Sequence, residues 1–178
     1  PAELVGVFDA GVVEGLEAVG RLRSQVEAVG FALAAEASAR GLPMAVGLSL
    51  VDWLRVRCPW LSKEEACQVR QVVRAGEAHW GTGLAEAVRS GRVPVHRGAR
   101  VARTMIRLAG SLSPEEREAY AGIVTDAAGN PDLSDAELGL VCKKLLVDLL
   151  EEKPRRERAR TAQGLRCVSS RPLGSGMT

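Results

Sequence analysis

The feature that most constrains the fold is a long amphipathic run between residues 9 and 40. Apolar side chains recur there at steps of three and four, the spacing that places them on one face of an α-helix. This apolar stripe consists of Val12, Leu16, Val19, Leu22, Val26, Val29 and Leu33. Gly41 and Pro43 follow the run, as expected where a helix ends. The spacing predicts one long helix whose stripe is either core or a dimer seam.

Capping and turn residues divide the rest of the chain into further helices. Residues 45–57 form a predicted short helix, and Ser62 with Glu65 forms a predicted capping box for the helix that ends near Gly76. Further helices are predicted at about 82–91, 94–109 and 114–129 and from Ser134 onward. Aromatic residues, which favour strands, make up only 3% of the chain.

We therefore predict an all-α fold with one helical domain of about seven helices. This domain covers residues 1–153, with a helix-turn-helix-like core at 45–109. A basic linker or tail follows at 154–178.

Charge is distributed unevenly along the sequence. Residues 52–107 contain eleven Lys or Arg against five Asp or Glu, and residues 151–178 contain seven against three. The segments 1–51 and 108–150 are acidic, so the net charge of the whole chain is only +2. Such blocks are typical of an anion-binding centre and tail on an acidic scaffold.

Residues 46–76 have the layout of a helix-turn-helix, in which the second helix enters the major groove of DNA. Glutamine can pair with adenine and arginine with guanine. The candidate DNA-contacting residues of this second helix are Lys63, Gln68, Arg70, Gln71 and Arg74. Any two consecutive helices of a bundle share this layout, so a purely structural interpretation stays open.

A second basic element lies in the predicted helix 94–109. Residues 96, 100, 103 and 107 share one helical face, which presents a cationic ridge. The candidate phosphate-contacting residues are Arg92, Arg97, Arg100, Arg103 and Arg107, joined by Arg155 and Arg156 in the basic tail. The alternative is an arginine-rich solvated face, or one bridged to acidic neighbours at 115–118.

Several functional classes lack support in the sequence. The four cysteines are widely separated, and His79 and His96 do not form a pair with metal-ligand spacing. There is no phosphate-binding glycine loop and no catalytic constellation, so we expect no cofactor, no metal and no catalysis by this chain. No apolar run is long enough to span a membrane and no signal peptide is found, which predicts a cytoplasmic protein.

The order of features from about Leu22 onward resembles the actinobacterial domain of unknown function 222. The matching stretches are Val51–Leu54, Leu61–Ser62 with Glu65–Ala66, Leu84–Val88 with Gly91–Pro94, Leu112–Glu115, and the Leu145–Leu150 helix with the arginine-rich run after it. The resemblance implies a helical DNA-targeting or regulatory domain, of the kind that precedes an HNH endonuclease. The His-Asn-His nuclease site is absent, so the resemblance implies no cleavage by any residue of this chain.

The leading prediction is therefore a double-stranded-DNA-binding module of an HNH-endonuclease-type protein. The alternative is a protein-interaction or homodimerisation domain that uses residues 12–37 and binds no nucleic acid. The chain begins at Pro1 without a methionine, as expected of an excised or processed piece, and a nuclease following Thr178 is an open possibility.

Overall fold

A computed structural model describes residues 9–150, and every regular element within them is helical. The α-helices are α1 (Asp9–Ala39), α2 (Leu42–Ala45), α3 (Leu50–Arg57), α4 (Lys63–Gly76), α5 (Thr82–Arg89), α6 (Val95–Leu108), α7 (Pro114–Gly129) and α8 (residues 135–150). A 3-10 turn, His79–Gly81, precedes α5. The predicted all-α class is confirmed.

The predicted helix at 45–57 is wrong in its first half. The structure instead has the single turn of α2 and then a separate α3. Gly47 lies between them with φ of +69°, a left-handed conformation that interrupts a right-handed helix. Ser49 then caps α3, because its hydroxyl accepts a hydrogen bond from the backbone N–H of Asp52 at 3.2 Å.

Capping boxes form at three of the described helix starts, including the one predicted at Ser62. At α4 the Ser62 hydroxyl accepts from the Glu65 N–H at 3.2 Å, and the Glu65 carboxylate accepts from the Ser62 N–H at 2.8 Å. The backbone hydrogen bond from Ser62 holds the pKa of Glu65 below its ordinary value. Ser113 begins α7 and Ser134 begins α8 in the same way. These caps satisfy backbone donors that a helix start otherwise leaves unpaired.

The core of the described domain lies around α4 and α6. α4 packs against α1, α3, α5 and α6, so most of its circumference is covered by other helices. Val72 of α4 and Ala99, Ala102 and Met105 of α6 are fully buried. Gly98 permits the close packing of α6, because a Cβ there would lie 2.8 Å from Cγ2 of Val88 and 3.3 Å from Cγ2 of Val72.

The long helix α1 has two different parts. Its C-terminal part packs on the domain through Ala28, Phe31, Ala34 and Ala37, whereas every residue from 9 to 26 is exposed. The apolar stripe predicted from the sequence is therefore not core, since its side chains are exposed along the whole helix, between 42% at Val12 and 68% at Leu16. Within residues 9–150, no helix combines the length and apolarity needed to cross a membrane.

Candidate nucleic-acid interface

The exposed face of α4 is narrow and basic. Lys63, Arg70 and Arg74 stand seven and four residues apart, which places them on one side of the helix. Lys63 and Arg74 are exposed, and Arg70 is half-buried. None of the three is held by an ion pair or side-chain hydrogen bond from the described part of the chain. We call these three residues the α4 row; their charges are available to an external anion.

The two candidate glutamines are placed differently from the α4 row. Gln68 lies on the flank of α4 and lines a groove beside α1, where its neighbours include Val26 and Trp60. Gln71 is half-buried, and its Oε1 is shielded from solvent without a hydrogen-bond partner among residues 9–150. The structure therefore does not bring the glutamines together with the arginines on one open surface.

Arg97 of α6 is a structural side chain that ties α6 to the segment between α7 and α8. Its Nε donates to Oδ1 of Asp135 at 2.6 Å, and Nη2 donates to the carbonyl oxygen of Leu133 at 2.7 Å. Nη1 donates to the carbonyl oxygens of Asn130 at 3.1 Å and Ala128 at 3.4 Å. The side chain is only 15% exposed. Its donors are thus committed within the chain, which leaves little for a phosphate.

Two neighbouring cations are also engaged. Arg92 pairs with Asp126, with 2.8 Å between Nη1 and Oδ1, and Nη1 of Arg100 donates to the carbonyl oxygen of Asp135 at 2.6 Å. His96 Nε2 lies 3.1 Å from Oδ2 of Asp135. Partial burial by itself raises the pKa of Asp135, but hydrogen bonds from Arg97 and the nearby charges of His96 and Arg97 hold that pKa below its ordinary value.

Two acids among the described residues pair with arginines in or beside the cationic ridge. Asp126 and Asp135 pair with Arg92 and Arg97, whereas Glu118 lies 3.5 Å from His79. The physical reason is the fold: α7 runs away from its acidic start, so its C-terminal end and the start of α8 lie beside the first turns of α6.

The C-terminal end of the cationic ridge on α6 is exposed to solvent. Arg103 and Arg107 are exposed, and within residues 9–150 neither has an ion pair. They line a groove of about 650 Å³ between α6 and α8. The groove is lined by Arg100, Arg103, Arg107, Gly139, Cys142, Lys143, Leu146, Val147 and Leu150. We call it the cationic groove, because it has basic walls, an apolar floor and no acidic side chain in its lining.

Lys143 is the residue of this groove that the sequence did not predict. It lies in the acidic segment 108–150, where eight Asp or Glu outnumber three Lys or Arg, so the charge average hides it. The available signal was its position directly after Cys142, at the edge of the apolar face of α8. The remaining candidates, Arg155 and Arg156, lie outside the described residues, as does the predicted basic tail at 154–178.

No group of three or more His, Cys, Asp or Glu that could hold a metal ion occurs within residues 9–150. No protein-family model, curated protein or solved structure matches the chain. The two basic surfaces, the α4 row and the cationic groove, are therefore the features from which a function is inferred.

Proposed function

We propose that this chain is a double-stranded-DNA-binding module. The observation that carries the proposal is the α4 row: three cations on the open face of a capped helix, with no internal partner among the described residues. Like charges on one helix face repel one another, and phosphate groups relieve that repulsion. α4 follows the short α3 after a tight break, which is the order of elements in a helix-turn-helix.

The cationic groove supplies a second set of charges for the same partner. Arg103, Arg107 and Lys143 are exposed there. In this proposal they contact phosphates, whereas Arg70 and Arg74 of the α4 row reach the edges of bases. Arg97 has a structural role and contributes to binding only by positioning α8 beside α6.

The test is a fluorescence-anisotropy titration of a labelled duplex at several salt concentrations. Replacing Arg70 and Arg74 together by alanine should weaken binding by about 1–3 kcal/mol per base contact and relax any sequence preference. Replacing Arg103 and Arg107 by alanine should weaken binding to all sequences alike and lower the salt slope by about two.

The matched control replaces Arg21 and Arg40 by alanine. Arg21 lies in α1 and Arg40 directly follows its C-terminal end; both are exposed and pair with glutamates four residues earlier, so this variant loses the same charge away from the proposed surface. Its affinity should stay close to that of the unchanged protein. Absence of binding at low salt, or equal loss in the control, would contradict the proposal.

We further propose, from the resemblance to domain of unknown function 222, that the module targets an HNH-endonuclease-type protein to DNA. The chain itself should leave DNA intact, because it lacks the His-Asn-His residues of that nuclease. Incubation with supercoiled plasmid and Mg²⁺ or Mn²⁺ tests this. Conversion of the plasmid to nicked or linear forms, at a rate that follows the amount of pure protein, would contradict it.

One observation favours a second function, homodimerisation through residues 12–37. The apolar stripe of α1 is exposed, although a contiguous apolar surface of this length is uncommon on a monomer. The two functions are compatible, since helix-turn-helix proteins commonly pair to bind two half-sites. Sedimentation equilibrium should show a mass that rises from monomer to dimer with concentration, and Leu16→Asp should shift that transition to higher concentration.

A further inference from the structure

We propose that α1 pairs with α1 of a second copy as a parallel two-stranded coiled coil. This inference rests on the proposed self-association and adds the partner's orientation and register. The seam residues alternate at spacings of three and four from residue 12 to residue 33. They are Val12, Gly15, Val19, Leu22, Val26, Val29 and Leu33, called here the α1 seam.

The α1 seam points away from the domain to which α1 belongs. Ala28, Phe31 and Ala34 face the core, whereas Val29 and Leu33, interleaved with them, are 60% and 67% exposed. Over its second half α1 therefore has two faces: one packs on its own domain, and the other is exposed within residues 9–150. A second helix can approach the seam without displacing any contact among these described residues.

The chemistry of the α1 seam fits a copy of itself. In heptad terms the a positions are Val12, Val19, Val26 and Leu33, and the d positions are Gly15, Leu22 and Val29, so three of four a positions are valine and one d position is leucine. Valine at a with leucine at d favours two parallel strands. Each exposed valine or leucine offers on the order of 80 Å² of apolar surface, so six from each copy give about 1,000 Å². The flanking residues bring this into the range of roughly 1,200–2,000 Å² found in stable interfaces.

Charge repulsion between two copies of α1 disfavours the antiparallel orientation. In the antiparallel register that aligns most of the seam, Leu22 of one copy meets Val26 of the other. That register places Arg23 beside Arg23 of the second copy, and like charges in contact are destabilising. In the parallel register Arg23 lies beside the uncharged residues Ala18 and Gln25 instead.

A groove beside the α1 seam widens the surface that the second helix can cover. It has a volume of about 530 Å³ and lies between α1 and the break that joins α3 to α4. Val19 and Val26 of the seam line it together with Leu61 and Trp60, and Trp60 is 76% exposed. The flank of a helix seated on the seam would shield part of this large apolar ring from water.

The orientation is tested by disulfide trapping, without DNA, so that its result is independent of DNA binding. Gly15→Cys places a thiol at a d position that faces its own copy only in the parallel pair. Its Cβ meets no atom within 4 Å, so the substitution is tolerated by the domain. Mild oxidation should give a covalent dimer in high yield. Glu17→Cys, on the opposite side of α1, and the unchanged protein with its native cysteines are the controls and should give little.

Sedimentation equilibrium under reducing conditions measures the mass of the unchanged protein and of further variants. Leu22→Asp with Val26→Asp should raise the dimer dissociation constant at least a hundredfold, and Ala10→Asp, on the far side of α1, should change it less than threefold. A dimer whose Gly15→Cys form cross-links no better than the controls overturns the parallel orientation. A monomer at all concentrations overturns both this inference and the proposed self-association, whatever the result with DNA.

Discussion

Gly98 shows how a single residue sets the separation between helices in this domain. It lies in α6 where the helix approaches Val72 of α4 and Val88 of α5, and a methyl group has no space there. The local sequence indicated the helix itself but not this contact, because the neighbours are distant in the chain. The glycines and serines at helix ends were predictable, since their function depends only on residues within one turn.

Gly98→Ala should therefore lower the free energy of unfolding despite the better helix propensity of alanine. Overpacking costs about 1–3 kcal/mol, and the gain in propensity returns up to about 1 kcal/mol, so a net loss of about 1–2 kcal/mol is expected. Gly122→Ala is the matched control in α7, where a Cβ would meet nothing within 4 Å. Urea denaturation should show that control to be as stable as the unchanged protein or more so.

The contact between α6 and the start of α8 makes the stability of the folded protein depend on pH. Asp135 accepts from Arg97 and lies beside His96, and its pKa is lowered in the folded protein. A lowered carboxyl pKa contributes stability above the ordinary value near 3.9 and loses it as pH falls through the folded value. The sequence predicted α6, α7 and α8 as separate helices. It did not predict that the start of α8 packs beside α6, because this contact depends on the path of α7.

Asp135→Asn should reduce stability near neutral pH, and the two proteins should converge as the pH falls below about 4. The side chain is 52% exposed, so the difference at pH 7 should be no more than about 1 kcal/mol. Asp132→Asn, in the same turn, is the control and should follow the unchanged protein. Thermal melts at half-unit pH intervals measure this, and a constant difference down to pH 2.5 would contradict it.

At the scale of the whole molecule, the described basic residues divide into those that pair inside the domain and those that do not. Arg92, just before α6, pairs with Asp126 of α7, and Arg97 of α6 pairs with Asp135, whereas Arg103, Arg107 and the α4 row have no internal ion pair among the described residues. The spacing of the arginines predicted the exposed face of α6. It could not separate the two sets, because that depends on where Asp126 and Asp135 fold back.

Arg97→Ala and Arg103→Ala should accordingly affect different properties: the first lowers stability, and the second lowers DNA affinity. Removing Arg97 leaves the Leu133 carbonyl and the Asp135 carboxylate without their donor, which should cost about 2–3 kcal/mol of stability and loosen α8. Removing Arg103 should change stability by less than about 0.5 kcal/mol. Hydrogen exchange over residues 135–150 should increase only in the first variant. DNA affinity per folded molecule should fall further in the second variant, because Arg103 is proposed to contact phosphate directly whereas Arg97 acts only by positioning α8.

If α1 pairs as proposed, the order of its exposed half depends on the concentration of the protein. Every residue from 9 to 26 is exposed, and Gly11, Gly15 and Gly20 each weaken that helical stretch by up to about 1 kcal/mol. In proteins most of the stability of a helix comes from tertiary packing rather than from helix propensity. If pairing supplies the missing stability, mass action links the order of this arm to the cellular concentration of the chain. At low protein concentration residues 9–26 would then be partly unfolded, and at high concentration they would be fully helical.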